Sequence, residues 1–247
     1  MGEIHVSGGE AVLRWRELAA GDTVLLDGFH ALKHALRFGA TIPLALAADK
    51  PAVLGLARDL APDLAGRLDA LLTPVAPATL RELVDRPHPT GVAALAHPAP
   101  RAPATGGAPV VVLDNPRHLG NIGAVIRLAA GAGAAGVLTT GTVDPWHPAV
   151  LRAAAGLHFA TAVTRTSVGD LPPGPLYALD PAGTDIRSVP VADGALLAFG
   201  SERAGLSEEL RKRADTLVAL PMRSGVSSYN LATSVAMALF HWMRSIG

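Results

Sequence analysis

Three segments in the second half of the chain combine polar side chains with glycines. The first is HLGNIGAVIRLAA at 118–130, where Arg127 lies on a helix otherwise rich in Ile, Val, Leu, Ala and Gly. A guanidinium on so apolar a helix needs a partner or an anion. Because long helical side chains lean back over the preceding turn, we expect Arg127 to cover a gap at Gly123, where a phosphate or an oxyanion would fit. The alternative is a structural arginine paired with an acid such as Asp114, and Asn121 is placed as the N-cap.

The second segment, LLAFGSERAGLS at 196–207, predicts a buried strand that ends at Gly200. A tight loop follows, in which Glu202 lies between two glycines. Glycine lets a backbone approach a ligand closely, and Ser207 is placed to cap the next helix. Considered alone, Glu202 would be a solvated loop acid.

The third segment, LVALPMRSGVSSYNLATSVAMALFHWMR at 217–244, predicts a strand, a Ser/Gly loop and a long apolar helix opened by Ser228 and Asn230. Such a helix is buried, either in the core or against another subunit. Its apolar stripe has a helical period and predicts a homodimer through the C-terminal domain, with an intrachain core as the alternative. The stripe consists of Leu231, Val235, Ala238, Leu239 and Trp242.

Short apolar runs that stop at Gly, Asp or Pro predict the strands that position these segments. They are PVVVLDN, AGVLTTG, GPLYALD, GALLAFG and DTLVALP, with helical stretches between several of them. This pattern is typical of buried parallel strands with crossover helices, and ligands bind at the loops after such strands. The sequence therefore predicts an α/β domain with its site at the strand ends.

The first hundred residues predict a smaller α/β unit. TVLLDGFHALKHALRFG indicates a strand, a turn at Asp27–Gly28 and a helix ended by Gly39, while IPLALAAD and PTGVAALA indicate further strands. The stretch AHPAPRAPATGGAP is rich in Pro, Ala and Gly and predicts an interdomain linker.

The run GAGAAG at 131–136 fits the Gly-x-Gly-x-x-Gly pattern of dinucleotide-binding turns. Such a turn needs a strand before it and a helix after it. Here a predicted helix precedes the glycines and a predicted strand follows them, so they end a helix as a C-cap does. This order argues against an NAD-dependent oxidoreductase.

The composition excludes several classes of site. The chain has no cysteine, so disulfides, thiol catalysis and cysteine-based zinc sites are excluded, and no other cluster of metal ligands is evident. Net charge is zero, so any nucleic-acid partner must be held by local patches rather than by overall charge. The start, MGEIHVSGGE, lacks a signal-peptide pattern, and the longest apolar run near the end is too short to span a bilayer. We expect a cytoplasmic protein without a membrane segment or a metal.

Three motifs stand in a characteristic order: Asn-x-Gly-x-x-x-Arg at 121–127, Gly-x-Glu-x-x-Gly at 200–205 and Pro-Met…Ser-x-Asn at 221–230. Together they resemble the SpoU (TrmH-like) RNA ribose 2′-O-methyltransferases of the SPOUT superfamily. The resemblance implies an α/β methyltransferase domain over 109–247, with a parallel sheet and a deep trefoil knot, after a linker at 98–108. Residues 1–97 less closely resemble the small α/β L30e-like RNA substrate-binding domain that often precedes it.

The resemblance also implies S-adenosylmethionine as the cofactor, bent within the knot and held largely by backbone groups. No metal is implied, and the family's homodimers place the active site near the subunit interface. By position, the cofactor-binding residues would be Gly200, Leu220, Met222 and Tyr229, completed by Thr140 and Gly141.

The resemblance makes Arg127 the central catalytic residue, with Asn121, Ser228 and Asn230 orienting the nucleotide and holding the loops. Because a guanidinium has a pKa above ~12, it is a poor base. We therefore expect Arg127 to bind the target phosphate and to stabilise the developing oxyanion. A phosphate oxygen or water accepts the proton, and Glu202, also counted among the catalytic residues, is the less favoured acceptor. A local basic lining would support this chemistry: Arg117, Arg127, Arg152, Arg203, Arg223, His118 and His147.

The L30e-like front domain favours ribosomal RNA over transfer RNA as the substrate, and some relatives in the family protect ribosomes against antibiotics. The alternatives are a tRNA 2′-O-methyltransferase and a catalytically silent RNA-binding protein of the same fold, although Asn121 and Arg127 are both present. The chain departs from the family pattern at Tyr229, where Leu is usual, and at Ala154, where Ser is common.

Overall fold

The structure, a computed structural model, describes residues 8–245. The chain divides into two compact units, Met1–Ala99 and Pro100–Gly247. The first seven residues, on which part of the signal-peptide expectation depends, lie outside the described residues. In the first unit the helices are α1 (Gly8–Ala19), α2 (Phe29–Arg37), α3 (Lys50–Leu60), α4 (Ala65–Leu71) and α5 (Pro77–Leu83), and the strands are β1 (Val24–Asp27), β2 (Leu44–Ala47), β3 (Leu72–Pro74) and β4 (Val92–Ala96).

The first unit contains a four-stranded sheet in the order β1-β4-β2-β3, antiparallel except for the β2–β3 pair. The predicted strands β1, β2 and β4 are confirmed, as is helix α2 before Gly39, whereas β3 was not predicted. Gly28, between β1 and α2, has φ +96°, and a Cβ there would lie 2.7 Å from the ring of His88. The L30e-like identity of this unit stays a prediction.

The second unit is built on a six-stranded sheet in the order β10-β8-β9-β5-β6-β7, and all its strand pairs are parallel. Its strands are β5 (Val110–Leu113), β6 (Gly136–Thr139), β7 (Ala162–Arg165), β8 (Leu176–Asp185), β9 (Leu196–Phe199) and β10 (Thr216–Ala219). Its helices are α6 (Leu119–Ala132), α7 (Pro148–Ala153), α8 (Glu208–Arg213) and α9 (Leu231–Ser245). The predicted α/β class with a parallel sheet is confirmed, and the trefoil knot stays a prediction.

The five apolar runs predicted as strands form β5, β6, β8, β9 and β10, whereas β7 was not predicted. Strand β8 is interrupted. Ala178 pairs with Leu217 of β10 and Thr184 pairs with the next residue, Val218, so the intervening residues of β8 bulge out of the sheet. This bulge lies beside the cavity described below.

The interpretation of GAGAAG is confirmed. Helix α6 ends at Ala132, Gly133 adopts the left-handed conformation with φ +74°, and β6 begins at Gly136. The glycines therefore end a helix and precede a strand, which is the reverse of a dinucleotide-binding turn.

The expected gap at Gly123 is wrong. Gly123 is buried, and a Cβ there would lie 2.5 Å from Ala153 Cβ and 2.6 Å from the carbonyl oxygen of Val150. Helix α7 therefore packs directly against α6 at this point. The missing side chain makes room for a neighbouring helix, and not for an anion beneath Arg127.

The apolar stripe of α9 is covered by the chain itself. Val235 and Ala238 are 0% exposed, and Leu231, Leu239 and Trp242 are also buried, because α9 packs on α6. The prediction that this stripe forms a dimer interface is wrong, since periodicity shows that a face is buried but not what covers it. The exposed apolar side chains of α9 are Phe240 and Met243.

Among residues 8–245, no helix is long and apolar enough to cross a membrane.

Candidate active site

One polar residue from each of the three motifs, Asn121, Glu202 and Asn230, meets the others at the carboxyl edge of the second sheet. In the sheet, β6 and β7 lie on one side of β5. On the other side of β5 lies β9, which comes later in the chain, after β8. The strand order therefore reverses between β5 and β9. Parallel sheets bind ligands in the crevice at such a point, and the loops after these two strands carry the first two motifs.

A buried carboxylate holds three loops together at this edge. Asp114 accepts hydrogen bonds from Thr140 Oγ1 at 2.8 Å and from the backbone N–H of Ser207 at 2.6 Å. Thr140 Oγ1 also accepts from the backbone N–H of Asn115 at 2.9 Å. Asp114 therefore anchors the ends of β5 and β6 to the start of α8, and both of its oxygens already have partners.

Thr140 and Gly141 lie at the end of β6. Thr140 is buried, with its hydroxyl used by Asp114 and Asn115. Gly141 has φ +81°, and a Cβ there would collide with the side chain of Asn115. Neither residue lines the cavity described below, so their contact with a cofactor stays a prediction.

The loop after β9 is a closed hairpin. Ser201 and Gly205 exchange two backbone hydrogen bonds, at 2.9 and 3.0 Å, and Gly205 has φ +69°. A Cβ on Gly200 would collide with the backbone of Gly205 and Leu206. Gly200 thus lets the loop fold back on itself, and the fold holds Glu202 at the tip of the hairpin.

Glu202, Asn121 and Asn230 form a chain of side-chain hydrogen bonds. Asn121 Nδ2 donates to Glu202 Oε1 at 2.9 Å, and Asn230 Nδ2 donates to Asn121 Oδ1 at 3.2 Å. Asn230 Oδ1 accepts from the backbone N–H groups of Ala232 and Thr233 at the start of α9. One residue from each motif is therefore joined in a single network.

The network sets the ionisation of Glu202. Partial burial would raise the pKa of its carboxyl, but hydrogen bonds from Asn121 and from backbone N–H groups, including those of Arg117 and His118, outweigh that effect. The pKa of Glu202 therefore lies below its usual value. A carboxylate held in this state accepts hydrogen bonds well and is a weak base.

Asn121 is not the N-cap of α6. The helix begins at Leu119, and His118 is the cap, its Nδ1 accepting from the backbone N–H of Asn121 at 3.3 Å. Asn121 lies in the first turn, which directs its amide toward Glu202. At the third motif Asn230 does cap α9, whereas Ser228 is an exposed loop residue.

Arg127 is exposed on α6, and among residues 8–245 it makes no hydrogen bond or ion pair. The alternative of a structural pair with Asp114 is therefore wrong, since Asp114 bonds to Thr140 and Ser207. Arg127 is available to an external anion. The other arginines of the predicted basic lining are exposed as well: Arg117, Arg152, Arg203 and Arg223.

A cavity of about 510 Å³ lies between the loops after β9 and β10 and the bulge of β8. Seven residues predicted for the site line it: Gly200, Glu202, Leu220, Met222, Ser228, Tyr229 and Asn230. The hydroxyl of Tyr229 donates to the carbonyl oxygen of Pro221 at 3.0 Å. Sequence reasoning missed the contribution of the bulge, Leu179 to Pro181, because only strand pairing reveals it.

A buried histidine supports the loop after β6. His158 Nε2 donates to the carbonyl oxygen of Pro145 at 2.8 Å, and its ring lies 5.0 Å from that of Trp146, centroid to centroid. The other ring nitrogen, Nδ1, is buried and has no hydrogen-bond partner within residues 8–245. Burial is the largest influence on this group and lowers the pKa of His158 to about 4, so the ring is neutral.

Residues 8–245 contain no group of three or more His, Asp or Glu side chains that could hold a metal ion. Comparison with known proteins gives a specific match instead. A model of the SpoU rRNA Methylase family matches residues 108–240, which contain all three motifs. The chain belongs to this family.

Two relatives of this SpoU methylase are named as 23S rRNA 2′-O-methyltransferases. The 23S rRNA (guanosine(2553)-2′-O)-methyltransferase of Bacillus subtilis is 25% identical over 98% of this chain and 99% of its own length. The 23S rRNA (uridine(2479)-2′-O)-methyltransferase of Streptomyces viridochromogenes is 31% identical over 54% of this chain and 52% of its own length. The crystal structure of the SpoU methyltransferase AviRb from Streptomyces viridochromogenes with AdoMet is similar with a TM-score of 0.76 and 25% identity, covering 94% of this chain and 96% of that chain.

The cavity of this SpoU methylase suits S-adenosylmethionine. Its volume of about 510 Å³ lies within the range of small-molecule sites. Leu220 and Met222 provide an apolar wall, and Ser228 and Asn230 provide hydrogen-bonding groups. The lining thus combines an apolar wall with polar groups, as a cofactor with both apolar and polar parts requires.

Proposed function

We propose that this chain transfers the methyl group of S-adenosylmethionine to a ribose 2′-hydroxyl of ribosomal RNA. The observation that carries the proposal is that the second and third family motifs line one cavity, and that Asn121 of the first motif is hydrogen-bonded to Glu202 and Asn230 in its wall. The names of relatives that methylate 23S rRNA support the reaction and the RNA class.

In this reaction the cofactor supplies a reactive methyl group on a sulfonium. The ribose oxygen forms the new bond to the methyl group, the sulfur keeps the electron pair of the old bond, and the 2′-OH proton leaves. The task of the protein is to align the oxygen and to stabilise its developing negative charge. Arg127 performs the second role, because it is an exposed cation with no partner in the described part of the chain.

Glu202 and the two asparagines hold the site rather than move the proton. The lowered pKa of Glu202 makes it a poor proton acceptor, and both asparagine side chains are fixed by the network. A phosphate oxygen of the RNA or a water molecule takes the proton.

The exposed arginines near the strand ends support an RNA surface on the second unit. Arg117, Arg152, Arg203 and Arg223 would contact phosphates, which position RNA without reading its sequence. The first unit, residues 1–97 in the sequence division, would bind the substrate RNA as the L30e-like resemblance implies.

We also propose that the protein is a homodimer through the C-terminal domain. The face of α9 that remains exposed carries Phe240 at 62% and Met243 at 43% exposure. Large apolar side chains exposed together are typical of a contact surface. Sedimentation of the purified protein checks this: a monomer mass independent of concentration contradicts it, and Phe240→Asp would shift a true dimer toward monomer.

Binding and mapping experiments test the function. Calorimetry with S-adenosylhomocysteine is expected to show binding, and calorimetry with NADH none; the reverse result refutes the proposal. Mapping of 2′-O-methyl sites in ribosomal and transfer RNA, with and without the gene, identifies the substrate. A lost site in tRNA alone would favour the tRNA alternative, and cofactor binding with no lost site would favour the silent RNA-binding alternative.

A further inference from the structure

The segment between β10 and α9 forms one wall of the cavity and is largely exposed. Residues 223–230 are all exposed. Within the segment, the backbone N–H of Val226 donates to the carbonyl oxygen of Arg223 at 3.1 Å, which closes a turn at Gly225, where φ is +85°. Exposed backbone with few buried contacts opens at low free-energy cost.

Tyr229 ties the two ends of this segment together. Its hydroxyl donates to the carbonyl oxygen of Pro221 at 3.0 Å, eight positions earlier in the chain. In the part of the chain that the structure describes, this is the only hydrogen bond made by a side chain of residues 221–229. Phenylalanine or leucine at position 229 would keep an apolar side chain there but would lack the donor.

The bond joins two parts of the cavity wall. The residues on either side of Pro221, Leu220 and Met222, line the cavity, and so does Tyr229 itself. Fixing the distance between Pro221 and Tyr229 therefore fixes these walls relative to each other before any ligand is present. A loop held in its binding shape loses less conformational entropy when the ligand arrives.

We propose that Tyr229 is a positioning residue whose hydroxyl preorders the 221–229 loop and thereby strengthens cofactor binding. The inference rests on the proposed function, in which the cavity takes S-adenosylmethionine. One such hydrogen bond corresponds to an affinity change of about 2- to 10-fold.

Two measurements on three proteins test it: wild type, Tyr229→Phe and Tyr177→Phe. Tyr177 is the only other tyrosine in the sequence, and among the described residues its hydroxyl makes no hydrogen bond. Calorimetry with S-adenosylhomocysteine is expected to show binding weakened about 2- to 10-fold in Tyr229→Phe. The Tyr177→Phe protein should bind as the wild type does.

Amide hydrogen exchange shows whether the loop is responsible. Without cofactor, residues 222–228 should exchange faster in Tyr229→Phe than in wild type, and saturation with S-adenosylhomocysteine should reduce this difference. Tyr229→Leu should repeat the faster exchange, and unchanged exchange in β5 and β9 would show that each variant is folded.

The outcomes separate the inference from the function beneath it. If the wild type fails to bind S-adenosylhomocysteine, the proposed function is wrong. If the wild type binds but Tyr229→Phe keeps wild-type affinity and exchange, the inference is overturned. Weakened binding with unchanged exchange also overturns it, because the hydroxyl would then act on the cofactor directly.

Discussion

Asn121 donates its side-chain amide to Glu202 at 2.9 Å, although the two residues lie 81 positions apart in the sequence. The bond joins the first turn of α6 to the hairpin after β9, across the point where the strand order reverses. The oxygen of the same side-chain amide accepts a hydrogen bond from Asn230. The nitrogen and the oxygen of the Asn121 amide therefore both have partners, which fixes its orientation.

The ionisation of Glu202 should depend on this contact. Partial burial alone would raise its pKa, and the hydrogen bond from Asn121 is the leading cause that lowers it. Asn121→Ala should therefore raise the pKa of Glu202 toward or above its usual value. Carbon-13 NMR titration of the carboxyl, against the wild-type curve, measures the shift, and identical curves would refute the role assigned to Asn121.

The same contact has a pH signature in stability. The folded-state pKa of Glu202 is lowered. The contribution of its ionised carboxyl to the free energy of unfolding is therefore present above the unfolded-state pKa and is lost as the pH falls through the folded-state pKa. In Asn121→Ala, less stability should be lost over that acidic range than in wild type.

Arg127 should matter for rate and little for folding. It is exposed and unpartnered among residues 8–245, so Arg127→Ala should leave the melting temperature nearly unchanged. Loss of a group that stabilises charge in the transition state lowers the rate by roughly 100-fold or more. Arg127→Lys should recover little of it, because a point charge does not replace a planar guanidinium.

Single-turnover methylation by cofactor-saturated protein measures this effect. Lys212→Ala removes an exposed cation of α8 that has no part in the proposed site, and serves as the control. An Arg127→Ala rate within a few-fold of wild type would remove Arg127 from the catalytic residues.

Two glycines of α6 should respond in opposite ways to alanine. At Gly123 a Cβ would lie 2.5 Å from Ala153 Cβ and 2.6 Å from the Val150 carbonyl oxygen, so Gly123→Ala must displace α7. Overpacking of this kind costs about 1–3 kcal/mol. At Gly131 a Cβ would meet no atom of the described residues within 4 Å, and alanine there should stabilise the helix by up to about 1 kcal/mol.

Chemical denaturation at neutral pH gives the free energy of unfolding of both variants. Equal effects at the two positions would contradict the close contact between α6 and α7.

His158 should make stability depend on pH in mildly acidic solution. Its folded-state pKa of about 4 lies below the ordinary histidine value of 6.5, so the folded state binds fewer protons than the unfolded state between these pH values. The contribution of the neutral His158 ring to the free energy of unfolding is fully present above about pH 6.5. It falls as the pH decreases toward 4, and the difference between the two pKa values corresponds to a loss on the order of 3 kcal/mol.

The free energy of unfolding of wild type and His158→Gln, measured between pH 7 and 4.5, isolates this contribution. The wild type should have the steeper slope. Parallel slopes would show that another group is responsible.

The sequence predicted most of the parallel sheet and the three motif segments, because strand ends and glycine turns are local properties. It did not predict the partners of those segments. The cap of α6 was placed at Asn121 rather than His118, since several polar residues in a row suit a cap and only backbone geometry selects one. The sequence predicts that the apolar stripe of α9 is buried. It does not predict that α6 covers the stripe, because that packing is a tertiary contact.

Gly123 illustrates the same limit at one position. The sequence places it one turn before Arg127, and an anion site was a reasonable expectation from that spacing. The crossing of α7, which follows the next strand, accounts for the glycine instead. The Glu202–Asn121 bond was equally inaccessible, because nothing local links residues 81 positions apart.

The strand order has a consequence for biosynthesis. Strands β5, β6 and β7 can pair in the order in which they leave the ribosome, but both neighbours of β8, which are β9 and β10, are made after it. Strand β8 therefore has both edges unpaired until β9 and β10 are made, and unpaired strand edges invite association with other chains. The insertion of β9 between β5 and β8, which creates the crevice of the site, also covers the first of these unpaired edges.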